Sequence, residues 1–244
     1  MTYLDFHVLF LLPPLLALGW RIGRIRPHVG RRGFWPLVVV PFIALIYTTP
    51  WDNYLVREGI WWYGEDRVMG TIGYVPVEEY LFFLVQPFLA GFLFYRFLAR
   101  LRETGMVPPP AANPMKVRML GGAFWLVVAL WGVWFLSFPA GRYMGLILAW
   151  AAPVLAAMWF YMGPSIWRLR PVVYPSILLP TIYLWVADRV AIQQGIWSIS
   201  PEYTLGWNPF DLPVEEATFF LVTNILVAFG LVLFVMPGLD LEGK

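Results

Sequence analysis

Seven apolar stretches divide the chain, over residues 3–20, 34–49, 78–97, 119–138, 143–162, 171–187 and 214–236, with polar segments between them. A helix needs about 20 apolar residues to cross a bilayer. Most of these stretches are long enough, and the second reaches that length only if it continues through Trp51 to Val56. Internal prolines (Pro13, Pro14, Pro41, Pro87, Pro153, Pro175 and Pro180) predict kinks, which bundles tolerate where neighbours satisfy the freed carbonyls. The pattern predicts an all-α membrane protein of seven transmembrane helices.

Composition agrees. The chain is 60% hydrophobic and 13% charged, with mean hydropathy +0.67, whereas soluble domains are about a quarter charged. There is no cysteine, which excludes disulfide and thiolate chemistry, and only two histidines, His7 and His28. No metal site is expected, and nothing suggests a nucleic-acid face. The first apolar run has no basic residues before it and no small-residue cleavage site, so an uncleaved first helix is expected.

Charge sets the expected orientation. Of the 17 Lys and Arg, all but Arg57, Arg67, Arg142 and Arg189 fall on one side of the seven-helix scheme. Of the 15 Asp and Glu, only Glu103, Asp240 and Glu242 fall on that basic side. The positive-inside rule makes the basic side cytoplasmic. The protein is expected in the cell (inner) membrane, with its N-terminus outside and its C-terminus cytoplasmic.

The chain also repeats itself. At a shift of 136–137 positions, Asp52, Gly59, Ile60 and Trp61 fall on Asp188, Gly195, Ile196 and Trp197, and "PVEEYLFFLV" falls on "PVEEATFFLV". The division is 1–105 for a first three-helix unit, 106–138 for a proline-rich linker with a fourth helix, and 139–244 for a second three-helix unit. An odd linker gives both units the same orientation, a 3+1+3 parallel internal repeat.

The duplicated acids are Glu78 and Glu79, and Glu215 and Glu216, each pair beginning an apolar helix. Proline and acids suit any helix start. Three further features point to chemistry. Glu79, Phe82, Phe83 and Gln86 share one helix face, as do Glu216, Phe219, Phe220 and Thr223. Each pair has a companion acid at the end of the preceding helix, Asp52 or Asp188. The intervening loops are rich in aromatic residues, with Trp61 and Trp197 at matched positions. An acid denied water holds its proton, and aromatic faces stabilise a cation by about 0.5–2 kcal/mol. Such a site suits protonation of an alkene. Adjacent glutamates point about 100° apart, so one of each pair suffices to face the site. Asp52 and Asp188 have an alternative use, pairing with Arg57 or Arg189. His7 is expected to be structural, as are Gly59 and Gly195, which turn the chain after a helix.

The doubled "PVEE…FF" and "D…GIW" segments resemble the small membrane-integral lycopene cyclases of carotenoid biosynthesis, here in fused single-chain form. The resemblance covers residues 3–236. It implies cofactor-independent closure of the ψ ends of lycopene into β-ionone rings, with lycopene arriving from the bilayer. It carries the catalytic role onto Glu78, Glu79, Glu215 and Glu216, and leaves related ε-type or longer-chain cyclases and hydratases as alternatives. No Gly-x-Gly-x-x-Gly flavin fingerprint is present. A retinal protein would need a lysine in its last helix, and Lys116 and Lys244 are the only lysines. A 3+1+3 solute carrier is the rival from another class. It should place polar residues mid-helix, where this sequence is almost purely apolar.

Overall fold

A computed structural model describes residues 1–29 and 34–236, with side chains omitted over 23–29. Arg31, Arg32, Asp240, Glu242 and Lys244, all used in the charge argument, lie outside the described residues, as do the side chains of Arg24, Arg26 and His28.

Among the described residues, seven long helices form the fold. α1 begins as Tyr3–Phe6, passes through a π-helical turn at His7–Leu11 and continues as Leu12–Val29. Thr2 and Asp5 cap it reciprocally, the Thr2 N–H donating to the Asp5 carboxylate at 2.8 Å. The π turn lies just ahead of Pro13 and Pro14, which have no N–H to give the ladder. α2 spans Pro36–Arg57. α3 runs Val77–Val85 and resumes at Pro87–Thr104 after a break at Gln86. α4 is Pro114–Phe135, α5 Arg142–Arg168, α6 Arg170–Gln193 and α7 Val214–Val235. Six of these rods are long and apolar enough to cross a membrane. The exception is α2, whose last turns carry Thr48, Thr49, Asp52 and Asn53. It does continue through Trp51 to Val56, and this extension brings Asp52 inside the helix.

α3 and α7 form the centre. α3 packs on α1, α2, α6 and α7, and α7 packs on α2, α5 and α6. α4 lies outside, packed on α5 through small residues. A Cβ on Gly132 would stand 2.6 Å from the Ala149 backbone nitrogen, so only glycine permits that approach.

Short strands, unexpected from the sequence, occur in the two long loops. β1 (Trp61–Tyr63) pairs antiparallel with β4 (Trp197–Ile199), with Trp62 opposite Ser198. β2 (Thr71–Ile72) and β3 (Val75–Pro76) form a small hairpin beside the start of α3. Flanking β1 and β4, the Gly64 N–H donates to the Ile196 carbonyl at 3.0 Å, and the Ser200 N–H donates to the Ile60 carbonyl at 2.8 Å. Gly59 and Gly195 turn the chain after α2 and α6 with φ of +66° and +63°. That conformation is nearly free for glycine and strained for other residues.

The middle of the bundle is not purely apolar. The Gln86 carboxamide donates to Asn224 at 2.9 Å, and Asn224 donates to Thr181 at 3.0 Å. All three are buried. Each side chain of this trio finds a partner on another helix, so the network ties α3, α7 and α6 together.

Candidate active site

All six acids singled out in the sequence are buried, none more than 3% exposed. Among the described residues none pairs with Lys or Arg. Arg57 pairs with Glu58, and Arg189 with Asp211, so neither serves Asp52 or Asp188.

Each pair of adjacent glutamates splits. Glu78 turns back to the loop and accepts the Met69 N–H at 2.8 Å, and Glu215 accepts the Leu205 N–H at 2.7 Å. Glu79 and Glu216 turn the other way. The Tyr3 hydroxyl donates to Glu79 at 2.6 Å, with Tyr63 adding a second bond at 3.2 Å. The Tyr143 hydroxyl donates to Glu216 at 2.5 Å. Burial pushes the Tyr63 phenol, in the loop, well above the ordinary tyrosine range, so it stays a donor.

Glu79, Glu216, Asp52 and Asp188 form one cluster. Asp52 and Asp188 each lie within electrostatic range of both Glu79 and Glu216. Four buried carboxyls from α2, α3, α6 and α7 thus lie within electrostatic range of one another, with no Lys or Arg paired to them among the described residues. Burying a carboxylate charge is costly unless it is paired and hydrogen-bonded.

The aspartates differ. The Trp197 indole donates to Asp188 at 2.9 Å. Among the described residues Trp61, the matching residue, has no partner for its Nε1, and both Asp52 oxygens are likewise unpartnered.

A cavity of about 250 Å³ opens beside this cluster, lined by Phe82, Phe83, Gln86, Phe219, Thr48 and Thr223 among others. The carboxyls do not line it. Glu79, Glu216 and Asp52 sit one helical turn nearer the loops than Phe82, Phe219 and Thr48. Of the residues singled out in the sequence beside the acids and expected to contact substrate, Phe82, Phe83, Gln86 and Phe219 line the cavity, whereas Trp61, Trp197 and Phe220 do not. Phe220 packs between Phe82 (6.2 Å) and Phe219 (5.4 Å), and Trp197 stands edge-on to Tyr3 at 5.0 Å.

Comparison with known proteins identifies the lineage. A family model described as lycopene cyclase matches residues 1–98 and 142–235. The chain belongs to the lycopene cyclase family. It is 42% identical over 240 residues to the lycopene beta-cyclase of Halobacterium salinarum strain R1, covering 96% of this chain and 95% of that one. It is 35% identical to the bifunctional lycopene cyclase/phytoene synthase of Arthroderma gypseum, covering 95% of this chain but 41% of that protein. The similar protein of Blakeslea trispora is 35% identical, with 94% and 38% covered. No solved structure matches.

Tyr3 and Tyr143 were not legible as site residues of this cyclase family member. A uniform shift of 136 lays His7, not Tyr3, on Tyr143. The hydrogen bonds place Tyr3 opposite Tyr143, a shift of 140. The signal was present, since both tyrosines begin an apolar helix, but it required a change of register.

Proposed function

We propose that this chain is a lycopene beta-cyclase that closes the acyclic ends of lycopene into β-ionone rings by acid–base chemistry alone. The observation that carries this reading is the cluster of Glu79, Glu216, Asp52 and Asp188, buried with no Lys or Arg paired to it among the described residues, beside an aromatic cavity in a lycopene cyclase family member.

The chemistry is an isomerisation. A neutral carboxyl of the cluster gives its proton to the terminal double bond of the polyene and becomes a carboxylate. The internal alkene attacks the resulting tertiary cation and forms the ring bond. A carboxylate of the cluster then removes a ring proton, and those electrons become the ring double bond. One proton enters and one leaves, so no electron acceptor is consumed. Tyr3 and Tyr143 hold Glu79 and Glu216 in place and keep a hydrogen bond to whichever oxygen carries charge. Phe82, Phe83 and Phe219 face the cation and exclude the water that would trap it. Glu78 and Glu215 anchor the loops rather than meet the substrate.

The fold is read as two three-helix units related by an axis along the membrane normal. The loop contacts support this. At a shift of 136, Gly64→Ile196 becomes Ser200→Ile60, and the pair Trp62–Ser198 maps onto itself. Such reciprocity is what a two-fold relation produces. The units are read as 1–105 and 139–244, with 106–138 as the linker and fourth helix. The charge asymmetry supports a cell-membrane protein with the acid cluster toward the outer face and the C-terminus inside.

Expression in cells that accumulate lycopene, followed by pigment chromatography, tests the function. Cyclic carotenes are the expected product, and unchanged lycopene beside well-expressed protein would refute the reading.

A further inference from the structure

The paired units are not equivalent as chambers. Under the two-fold reading above, the gap between α2 and α5 corresponds to the gap between α6 and α1. The Tyr47 hydroxyl donates to the Trp150 carbonyl across the first gap at 2.8 Å, and Tyr183 donates to the Phe10 carbonyl across the second at 2.8 Å. The cavity lies at the first gap. There the lining includes Ala44, Thr48 and Gly230. The matched positions at the second gap are Pro180, Leu184 and Leu93, each larger, and Leu184 is wholly buried.

Two more features mark the same side. A surface depression lined by Ile43, Ile46, Tyr47, Pro50, Trp51 and Trp150 adjoins the cavity, sharing Ile43, Tyr47 and Trp150 with it. Ile46, 72% exposed, faces the outside of the bundle. The rings of Tyr47, Trp150, Trp51 and Phe219 stack in succession at 5.1, 4.7 and 5.7 Å, interplanar angles 18°, 19° and 8°. Ala187 stands where the second unit would need the match to Trp51, so that stack has no counterpart. Asp52, with both oxygens unpartnered among the described residues, lies one turn from Thr48 on α2, whereas Asp188 is held by Trp197.

We propose that the gap between α2 and α5 is the single polyene portal and chamber, with Ala44, Thr48 and Gly230 as the small residues that keep it open and Asp52 as the acid that serves it. In the α6–α1 groove the larger Pro180, Leu184 and Leu93 fill the matched positions. The occupant is an extended apolar polyene, because the walls are apolar and aromatic, the depression faces lipid, and the chamber ends one turn from the acids. One chamber means that the two ends of a symmetric polyene are processed in separate binding events.

This rests on the cyclase reading, so wild-type activity is measured in parallel. No wild-type turnover would overturn the cyclase reading itself. With wild type active, Gly230→Leu, which installs the residue of the matched position, should cut kcat/KM at least tenfold with the loss mainly in KM. It should also reduce the lycopene retained on purified protein. Should Gly230→Leu not fold, Ile43→Cys and Leu179→Cys serve instead. The chain has no native cysteine, and these matched positions are 49% and 50% exposed. A bulky maleimide in detergent should block the Ile43→Cys protein relative to its unlabelled form and leave the Leu179→Cys protein as it was. Asp52→Asn should lower kcat more than Asp188→Asn. Equal losses from labelling at both positions, loss only at Leu179→Cys, or full activity of folded Gly230→Leu would overturn the single portal.

Discussion

The Tyr143 hydroxyl sits 2.5 Å from a Glu216 oxygen, both groups sealed from solvent, and Tyr3 and Glu79 repeat the arrangement at 2.6 Å. A charge-assisted hydrogen bond of this kind is about twice as strong as a neutral one. Its strength therefore changes as the carboxyl gains or loses its proton. Tyr143→Phe should lower kcat roughly tenfold with little change in KM, because it orphans a buried acceptor at a cost of about 1–3 kcal/mol, and Tyr3→Phe should lower kcat less, because Tyr63 still donates to Glu79. Steady-state kinetics on detergent-solubilised protein would show it. A pure KM effect would mean that the tyrosines hold substrate instead.

The adjacent glutamates should separate cleanly. General acid–base groups contribute about 10²–10⁴ in rate. Glu79→Gln and Glu216→Gln should lose activity on that scale. Glu78→Gln and Glu215→Gln keep an oxygen for the Met69 and Leu205 N–H groups and should retain activity within about tenfold. The checking measurement is the rate of cyclic carotene formation for all four at matched expression. Inactive Glu78→Gln with intact folding would place that residue in the chemistry.

The strand pair that joins the two long loops should be sensitive to one methyl group. A Cβ on Gly64 would lie 2.2 Å from the Gly195 carbonyl oxygen, a contact that backbone must move to relieve. Gly64→Ala should lower the melting temperature by several degrees. It should also reduce activity, because Tyr63, next in the chain, reaches Glu79. Unchanged melting would show that the loops are not held by this contact.

The buried trio should act on stability and not on chemistry. Asn224→Leu removes the acceptor of Gln86 and the donor to Thr181 at once, leaving polar groups unsatisfied at a cost of about 1–3 kcal/mol. A lower melting temperature with residual kcat near wild type is expected. A kcat collapse in folded protein would instead link the trio to the reaction.

Much of this was legible in the sequence because hydrophobic runs and a duplicated motif are local signals. The seven helices, the turns at Gly59 and Gly195, and the six acids Glu78, Glu79, Glu215, Glu216, Asp52 and Asp188 follow from spacing and repetition. What was hidden depends on three-dimensional register. The direction in which Glu78 turns away from Glu79 is decided by a loop N–H at Met69. The tyrosines escaped notice because loop lengths shift the first helix of each unit by 140 positions and the strand segments by 136. Gln86 looked like the polar end of an aromatic face, and its partner Asn224 lies on another helix.

On the proposed mechanism the four clustered carboxyls catalyse cyclisation without a cofactor. The most direct measurement is conversion of lycopene in liposomes by purified, chelator-treated protein, wild type beside a variant carrying Glu79→Gln, Glu216→Gln, Asp52→Asn and Asp188→Asn. The expected result is cyclic carotene from the wild type with no addition and none from the folded variant. Cyclic carotene formed by the folded variant at the wild-type rate would rule out catalysis by these carboxyls.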